Sequence, residues 1–196
     1  MVRLRSWIVR LLALASLAAA GAAAAPAPGI AGGGRDVCAR EMEAAARRHG
    51  VPLGVLYAVG LTETGRGGRL HPHAMNIEGE SYFAADAAAA VRRFERARRG
   101  GKRLIDLGCM QINHHWHHRA FRSVAHMLEP RANVDYAARF LKELRAREGS
   151  WTMAVARYHA GPNNDPAQKR YVCAVIRKLV ATGFGAWTAE AKAFCR

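Results

Sequence analysis

The sequence predicts a mostly α-helical domain of the α+β class, with at most a small β-hairpin. Several segments carry apolar residues at helical spacing between capping residues, prolines and glycines, which is typical of amphipathic helices. Alternation that would indicate strands is confined to two short stretches, 74–77 and 104–113. A chain of 196 residues, 51% of them hydrophobic, suffices for one domain with a buried core.

Two helices are predicted first along this domain. The first runs from Asp36, a favoured N-cap residue, to His49, and Gly50 stops it. The second opens at Pro52 and ends near Glu63, before a glycine-rich run. Its inner stripe consists of Leu53, Leu56 and Val59.

The middle of the chain carries the predicted strands. Residues 64–83 are predicted to be a loop with one short strand at 74–77. A helix over 84–99 follows, and 104–113 alternates enough to suggest a strand or an extended loop. The outer face of the 84–99 helix is basic, with Arg92, Arg93, Arg96 and Arg99.

The C-terminal part is predicted to be helical again. One helix covers 130–147, and a second, capped by Ser150, ends at Gly161. A third covers 166–181, and a short helix near Ala189 closes the chain. The sequence has no internal repeats.

The first 25 residues are predicted to be a secretory signal peptide. Arginines at 3, 5 and 10 precede an apolar run that ends in small residues. The run is about 15 residues, shorter than the ~20 that a membrane-spanning helix needs. We expect cleavage near Ala24, a linker over 26–35 and a domain over 36–196; an uncleaved anchor is the alternative.

The chain is strongly basic. Its formal charge is +15 and its pI about 10.8, which favours an anionic partner: nucleic acid, a membrane surface or an acidic polymer. Only 5 of the 30 cationic residues are lysine, so a compositional bias toward arginine is an equally good explanation. No nucleic-acid-binding motif is present, and export also argues against nucleic acid.

Four cysteines in an exported protein predict up to two disulfides. Three pairings are possible, and we expect Cys38 to bond Cys195 and Cys109 to bond Cys173. A buried free thiol at Cys109 is the alternative. Their spacing does not indicate a zinc site.

Glu63 is the leading candidate for catalysis. It follows Gly60, Val59 and Leu56 by three, four and seven residues, which places its carboxyl on the core-facing side of the second helix. Burial there raises the pKa of a carboxyl and produces a general acid at neutral pH. A glutamate in a salt bridge with an arginine is the alternative.

Two further sets of polar side chains lie in otherwise apolar surroundings. Gln111 and Asn113 suit recognition of acetamido and hydroxyl groups, or are core amides bonded within the protein. Tyr158 and Tyr171 lie on inner helix stripes, where both hydroxyls can converge on Glu63 or simply pack.

Four segments in order resemble the soluble-type lytic transglycosylase domain, which is related to goose-type lysozyme. They are 50–64 with Glu63, 108–113 (GCMQIN), 133–141 and 156–161 (ARYHAG), followed by Tyr171. The resemblance covers about 37–180. The sequence departs from the family at Thr64, Cys109 and His159, where serine, leucine and asparagine are usual.

The resemblance implies a lysozyme-like fold with its hairpin beside the cleft, and a periplasmic, monomeric enzyme without metal or cofactor. The reaction would cleave the β-1,4 bond between N-acetylmuramic acid and N-acetylglucosamine in peptidoglycan, with Glu63 as acid and then base and a 1,6-anhydro product. The positions that would bind substrate are Thr64, Met110, Gln111, Asn113, Tyr158, His159 and Tyr171.

Three further expectations concern the biological setting, the histidine run and the alternative functions. The string 106–113 and the insertion 76–79 are similar to a subgroup associated with envelope-spanning secretion or conjugation machines. The histidine run at 114–118 is not expected to hold a metal; Trp116 or His115 would instead contact saccharide. The alternatives are a lysozyme-type hydrolase, with Asp106 holding the water, and a non-catalytic envelope scaffold.

Overall fold

A computed structural model describes residues 36–161 and 163–196. The predicted signal peptide and linker lie outside the described residues. The helices are α1 (Val37–His49), α2 (Leu53–Thr64), α3 (Ala87–Arg99), α4 (His114–His117), α5 (Val124–Leu128), α6 (Pro130–Glu148), α7 (Trp151–His159), α8 (Asp165–Ala181) and α9 (Ala189–Phe194), with a 3₁₀ turn at His118–Ala120. The strands are β1 (Ala74–Ile77), β2 (Glu80–Phe83), β3 (Ile105–Leu107) and β4 (Ile112–Asn113).

The mostly α, α+β fold class is confirmed, but the sheet is larger than the predicted hairpin. It has four antiparallel strands in the order β2-β1-β3-β4. A tight turn at Glu78 and Gly79, both with positive φ, joins β1 to β2. All four residues of β2 are exposed, so the strand has no apolar alternation that could have predicted it.

Most helix boundaries agree with the predictions. Asp36 caps α1 by accepting the Ala39 N–H, and Gly50 ends it in a left-handed conformation. The start of α3 is wrong by three residues, because Asp86 accepts the Ala89 N–H and begins the helix there. The end of α7 is also wrong, since the helix stops at His159 rather than at Gly161.

Helix α2 passes through the core and carries Glu63 on its last turn. It packs against α1 and α8, and most of its residues are buried, not only the predicted stripe. At Gly60 a Cβ atom would lie 2.4 Å from Cε of Met42, so the missing side chain lets α1 and α2 approach closely. The position of Glu63 is therefore fixed by packing on several sides of the helix.

The predicted disulfide pairing is wrong. The bonds join Cys38 to Cys109 and Cys173 to Cys195, and no cysteine of the described residues is free. Helix α9 folds back onto α8 instead of crossing to α1, so Cys195 meets Cys173 on its neighbouring helix. Cys38 and Cys109 are both fully buried and link the start of α1 to the loop after β3.

Within the described residues no helix is both long enough and apolar enough to cross a membrane.

Candidate active site

A cleft of about 630 Å³ runs between the sheet and the helices. We call its two sides the helical wall, formed by Glu63, Phe140, Tyr158 and His159, and the sheet wall, formed by Asn76, Ser81, Asp106 and Asn113. Gln111 and Trp116 also line the cleft. The two carboxylates that line the cleft thus stand on opposite walls.

Glu63 on the helical wall is a carboxylic acid at neutral pH. Burial raises the pKa of its carboxyl to about 8, although a hydrogen bond from Tyr171 acts in the lowering direction; the charge of Asp106 raises it further. The Tyr171 hydroxyl donates to Glu63 Oε1 at 2.5 Å. Among the described residues no arginine forms a salt bridge with Glu63, so the salt-bridge alternative does not apply.

Tyr171 is held in place by His159. Their rings stack with centroids 4.2 Å apart and planes within 2° of parallel. Burial lowers the pKa of His159, and the charge of Arg170 lowers it further, so this ring is neutral at neutral pH. The histidine in place of the family's usual asparagine therefore packs on the tyrosine that binds Glu63.

Only one of the two tyrosines, Tyr171, hydrogen-bonds Glu63. Burial raises the pKa of the Tyr158 hydroxyl and the nearby charge of Glu63 raises it further, but this hydroxyl donates to the backbone carbonyl of Met110 at 2.8 Å. That carbonyl belongs to the segment that we call the 108–113 loop, whose last two residues form β4, and it lies within reach of α7 only after folding. The contact pins the loop to the helical wall.

Asn133 is the residue that sequence reasoning missed. It is fully buried on α6, its Oδ1 accepts the Met110 N–H at 2.8 Å, and its Nδ2 donates to the carbonyls of Leu107 and Met127 at 2.9 Å each. Gly108 has φ of +80°, and a Cβ there would lie 2.6 Å from Asn133 Nδ2. An amide among the buried positions of α6, next to Val134, is the signal that could have identified it.

The amides of the 108–113 loop face the cleft while bonded within the protein. Gln111 has positive φ, and its Nε2 donates to the carbonyls of Ala74 and Gly108 at 3.0 Å each. Asn113 Nδ2 donates to Asp106 Oδ1 at 2.7 Å. Burial raises the pKa of Asp106, and this hydrogen bond from Asn113 acts against the rise.

Thr64 and Met110 lie beneath the cleft rather than on its surface. Both are buried, and the Thr64 hydroxyl donates to the carbonyls of Gly60 at 3.1 Å and Cys109 at 3.4 Å. Neither is among the residues that line the cleft. The Thr64 hydroxyl thus joins α2 to the 108–113 loop from below.

The histidine run after β4 does not gather around one point. The His118 ring stacks on His114, whereas His117 Nδ1 pairs with the Tyr136 hydroxyl at 2.7 Å. In the part of the chain that the structure describes, no three histidine, cysteine, aspartate or glutamate side chains are placed to hold a metal ion.

Comparison with known families agrees with this site. The family model described as "Transglycosylase SLT domain" matches residues 41–179, which contain Glu63, Gln111, Asn113, Tyr158 and Tyr171. No curated protein and no solved structure matches the chain. Because the match spans more than half of the chain, this protein belongs to the SLT transglycosylase family and is a lytic transglycosylase-type enzyme whose substrate is peptidoglycan.

Proposed function

We propose that this enzyme cleaves the β-1,4 bond between N-acetylmuramic acid and N-acetylglucosamine and closes a 1,6-anhydro ring on the muramic acid. The observation that carries the proposal is the state of Glu63, a carboxyl with a pKa of about 8 on the cleft wall. A group in this state can give a proton at neutral pH and take one back later in the same turnover.

The proposed reaction needs one catalytic residue. The Glu63 carboxyl protonates the glycosidic oxygen as the bond from that oxygen to C1 of the muramic acid breaks. The muramic 6-hydroxyl then attacks C1, and the carboxylate removes the hydroxyl proton as the new C1–O6 bond forms. Glu63 ends protonated as it began, no water is consumed, and the substrate's own acetamide can stabilise the positive charge between the two steps.

The other site residues divide into two groups. Gln111, Asn113 and His159 line the cleft, which supports contact with the saccharide. Tyr158 also lines the cleft, but its hydroxyl donates a hydrogen bond to the Met110 carbonyl. We therefore propose that Tyr158 holds the 108–113 loop in place. Thr64 bonds the same loop from below, Met110 anchors it through its N–H bond to Asn133, and Tyr171 orients the Glu63 carboxyl.

The biological setting belongs to the same proposal. The signal-like N-terminus supports a periplasmic enzyme, and the basic charge suits a polymer whose stem peptides carry carboxylates. We propose that the enzyme acts as a monomer in cell-wall remodelling. Its specialised role would be to open peptidoglycan for an envelope-spanning secretion or conjugation apparatus.

A hydrolase is the second candidate, and Asp106 is the observation in its favour. This carboxyl lines the cleft on the wall opposite Glu63, and its charge affects the pKa of Glu63. It is a candidate to hold and activate a water molecule, as the second carboxylate of an ordinary glycosidase does.

Mass spectrometry of the soluble products from purified peptidoglycan distinguishes these functions. The proposal expects anhydro-muropeptides, which are one water lighter than hydrolysis products. Hydrated products with a reducing end would overturn it in favour of the hydrolase. If no products form, a non-catalytic scaffold, or an enzyme that needs a partner to open its cleft, is favoured instead.

A further inference from the structure

We propose that Trp116 forms an outer saccharide subsite of the cleft, where a sugar ring of the glycan strand other than the two at the scissile bond packs on its indole. The inference rests on the proposed function, because it takes the glycan strand as the ligand. It adds a residue that determines which strands are bound, namely those long enough to reach Trp116.

Trp116 presents its ring to solvent inside the cleft. Its exposed fraction is 70%, the highest among the large hydrophobic side chains of the described residues. A single exposed apolar residue on a protein surface needs no explanation. Trp116, however, lines the same cleft as Glu63 and Asn113, so its exposed face lies where the substrate lies.

The indole is held by its neighbours. The ring of His115 packs against it edge-on, with centroids 4.4 Å apart and an interplanar angle of 78°. Asn113 caps the short helix α4 by accepting the His115 N–H at 3.0 Å, and Asn113 Nδ2 bonds Asp106. The orientation of α4 is thereby tied to the sheet wall.

A series of aromatic rings leads from the region of Glu63 to Trp116. Tyr158 lies 5.8 Å from Phe140, and Phe140 lies 5.1 Å from His117, measured between ring centroids. His117 is fixed by its bond to the Tyr136 hydroxyl and is the chain neighbour of Trp116. All four rings from Tyr158 to Trp116 line the cleft, so aromatic rings extend from the catalytic wall to Trp116 among polar side chains.

This combination of aromatic rings and amides fits a pyranose ring. The faces of β-linked amino sugars carry C–H groups that can cover an aromatic ring, and their edges carry hydroxyls and acetamides that bond to amides such as Asn113. Two rings, Phe140 and His117, lie between Tyr158 and Trp116 in this series, and for that reason we place the sugar on Trp116 apart from those beside Glu63.

The test uses soluble, uncrosslinked glycan strands of defined length and the variant Trp116→Ala. For long strands we expect kcat/KM to fall roughly tenfold, mainly through KM, which is the size expected when one large apolar side chain no longer becomes covered by ligand. For the shortest strands that the wild type cleaves, which cannot reach Trp116, we expect no change. Trp116→Phe keeps a ring and should retain most of the activity on long strands.

The matched control is Phe194→Ala, which removes an exposed aromatic ring that is not part of the cleft. This control should behave as the wild type at every strand length. An equal loss for Trp116→Ala at all lengths would overturn the subsite, because it would indicate damage to the fold or the chemistry. No loss on long strands would also overturn it.

A binding measurement separates this inference from the proposed function. Calorimetry with Glu63→Gln and with Glu63→Gln/Trp116→Ala measures affinity for the same strands without turnover. A weaker affinity of the double variant for long strands alone supports the subsite whatever the product is, whereas equal affinities overturn it. Anhydro products together with equal affinities would leave the proposed reaction standing and remove the subsite.

Discussion

The two walls of the cleft hold their carboxyl groups in different ways. On the helical wall Glu63 is bonded by the Tyr171 hydroxyl, and burial brings the pKa of its carboxyl to about 8. On the sheet wall Asp106 stands in β3 opposite Asn113 of β4, whose amide donates to it. Burial raises the pKa of both carboxyls, and the hydrogen bond that opposes the rise comes from Tyr171 at Glu63 and from Asn113 at Asp106. The comparison shows that surroundings, not residue type, decide which carboxyl is the acid.

The strongest test of this difference is Glu63→Gln. We expect the rate on purified peptidoglycan to fall at least ~10²-fold, because a positioned general acid contributes that much or more. Initial rates of product release measure the effect. A variant within a few-fold of the wild type would contradict the assignment of Glu63.

The pH dependence of protein stability gives an independent check on the pKa of Glu63. The folded-state pKa of Glu63 is raised from 4.5 to about 8, so folded wild type binds more protons than unfolded chain in that interval. The free energy of unfolding that Glu63 contributes therefore falls as the pH rises from about 4.5 to about 8, and Glu63→Gln removes this fall. Thermal unfolding should find the variant gaining stability relative to the wild type as the pH rises through this range.

A smaller change is expected from Tyr171→Phe. Its hydroxyl lowers the pKa of Glu63, so its removal lets the carboxyl stay protonated to higher pH. The alkaline limb of the pH profile of kcat/KM should therefore move to higher pH. Tyr158→Phe is the control, since that hydroxyl donates to a backbone carbonyl; a shift of equal size in both variants would show that Tyr171 has no special effect on Glu63.

The smallest effect is expected from Asp106→Asn on the sheet wall. If the muramic hydroxyl is the nucleophile, the rate should fall less than about tenfold, because no water has to be activated. The charge of Asp106 raises the pKa of Glu63, so its removal lowers that pKa. The alkaline limb of the pH profile of kcat/KM should therefore move to lower pH. A loss as large as that of Glu63→Gln would erase the difference between the walls and favour the hydrolase.

The helical wall was the more predictable part of the molecule. Helical spacing alone put Glu63 on the inner side of α2, and the caps at Asp36 and Ser150 are local in sequence. Four short motifs in order were enough to indicate the family. These signals are local, because a helix places its side chains by spacing within one segment.

The sheet wall and the long-range contacts were less predictable. Strand β2 carries no apolar alternation, and the acceptor of Tyr158 is a backbone carbonyl 48 residues away. The three bonds of Asn133 and the partner of Cys38 likewise depend on which segments meet in space. Such pairings follow from the tertiary structure and leave little trace in a single segment.

The Cys38–Cys109 bond makes the middle of the chain a covalent ring. The two cysteines are 71 residues apart, and the segment between them contains both Glu63 and Asp106. In the chain-entropy model, closing a loop of that length disfavours the unfolded state by about 4 kcal/mol. Tyr171 lies outside the ring. Partial unfolding of the C-terminal helices would therefore separate Tyr171 from Glu63, while Glu63 and Asp106 would stay within the covalent ring.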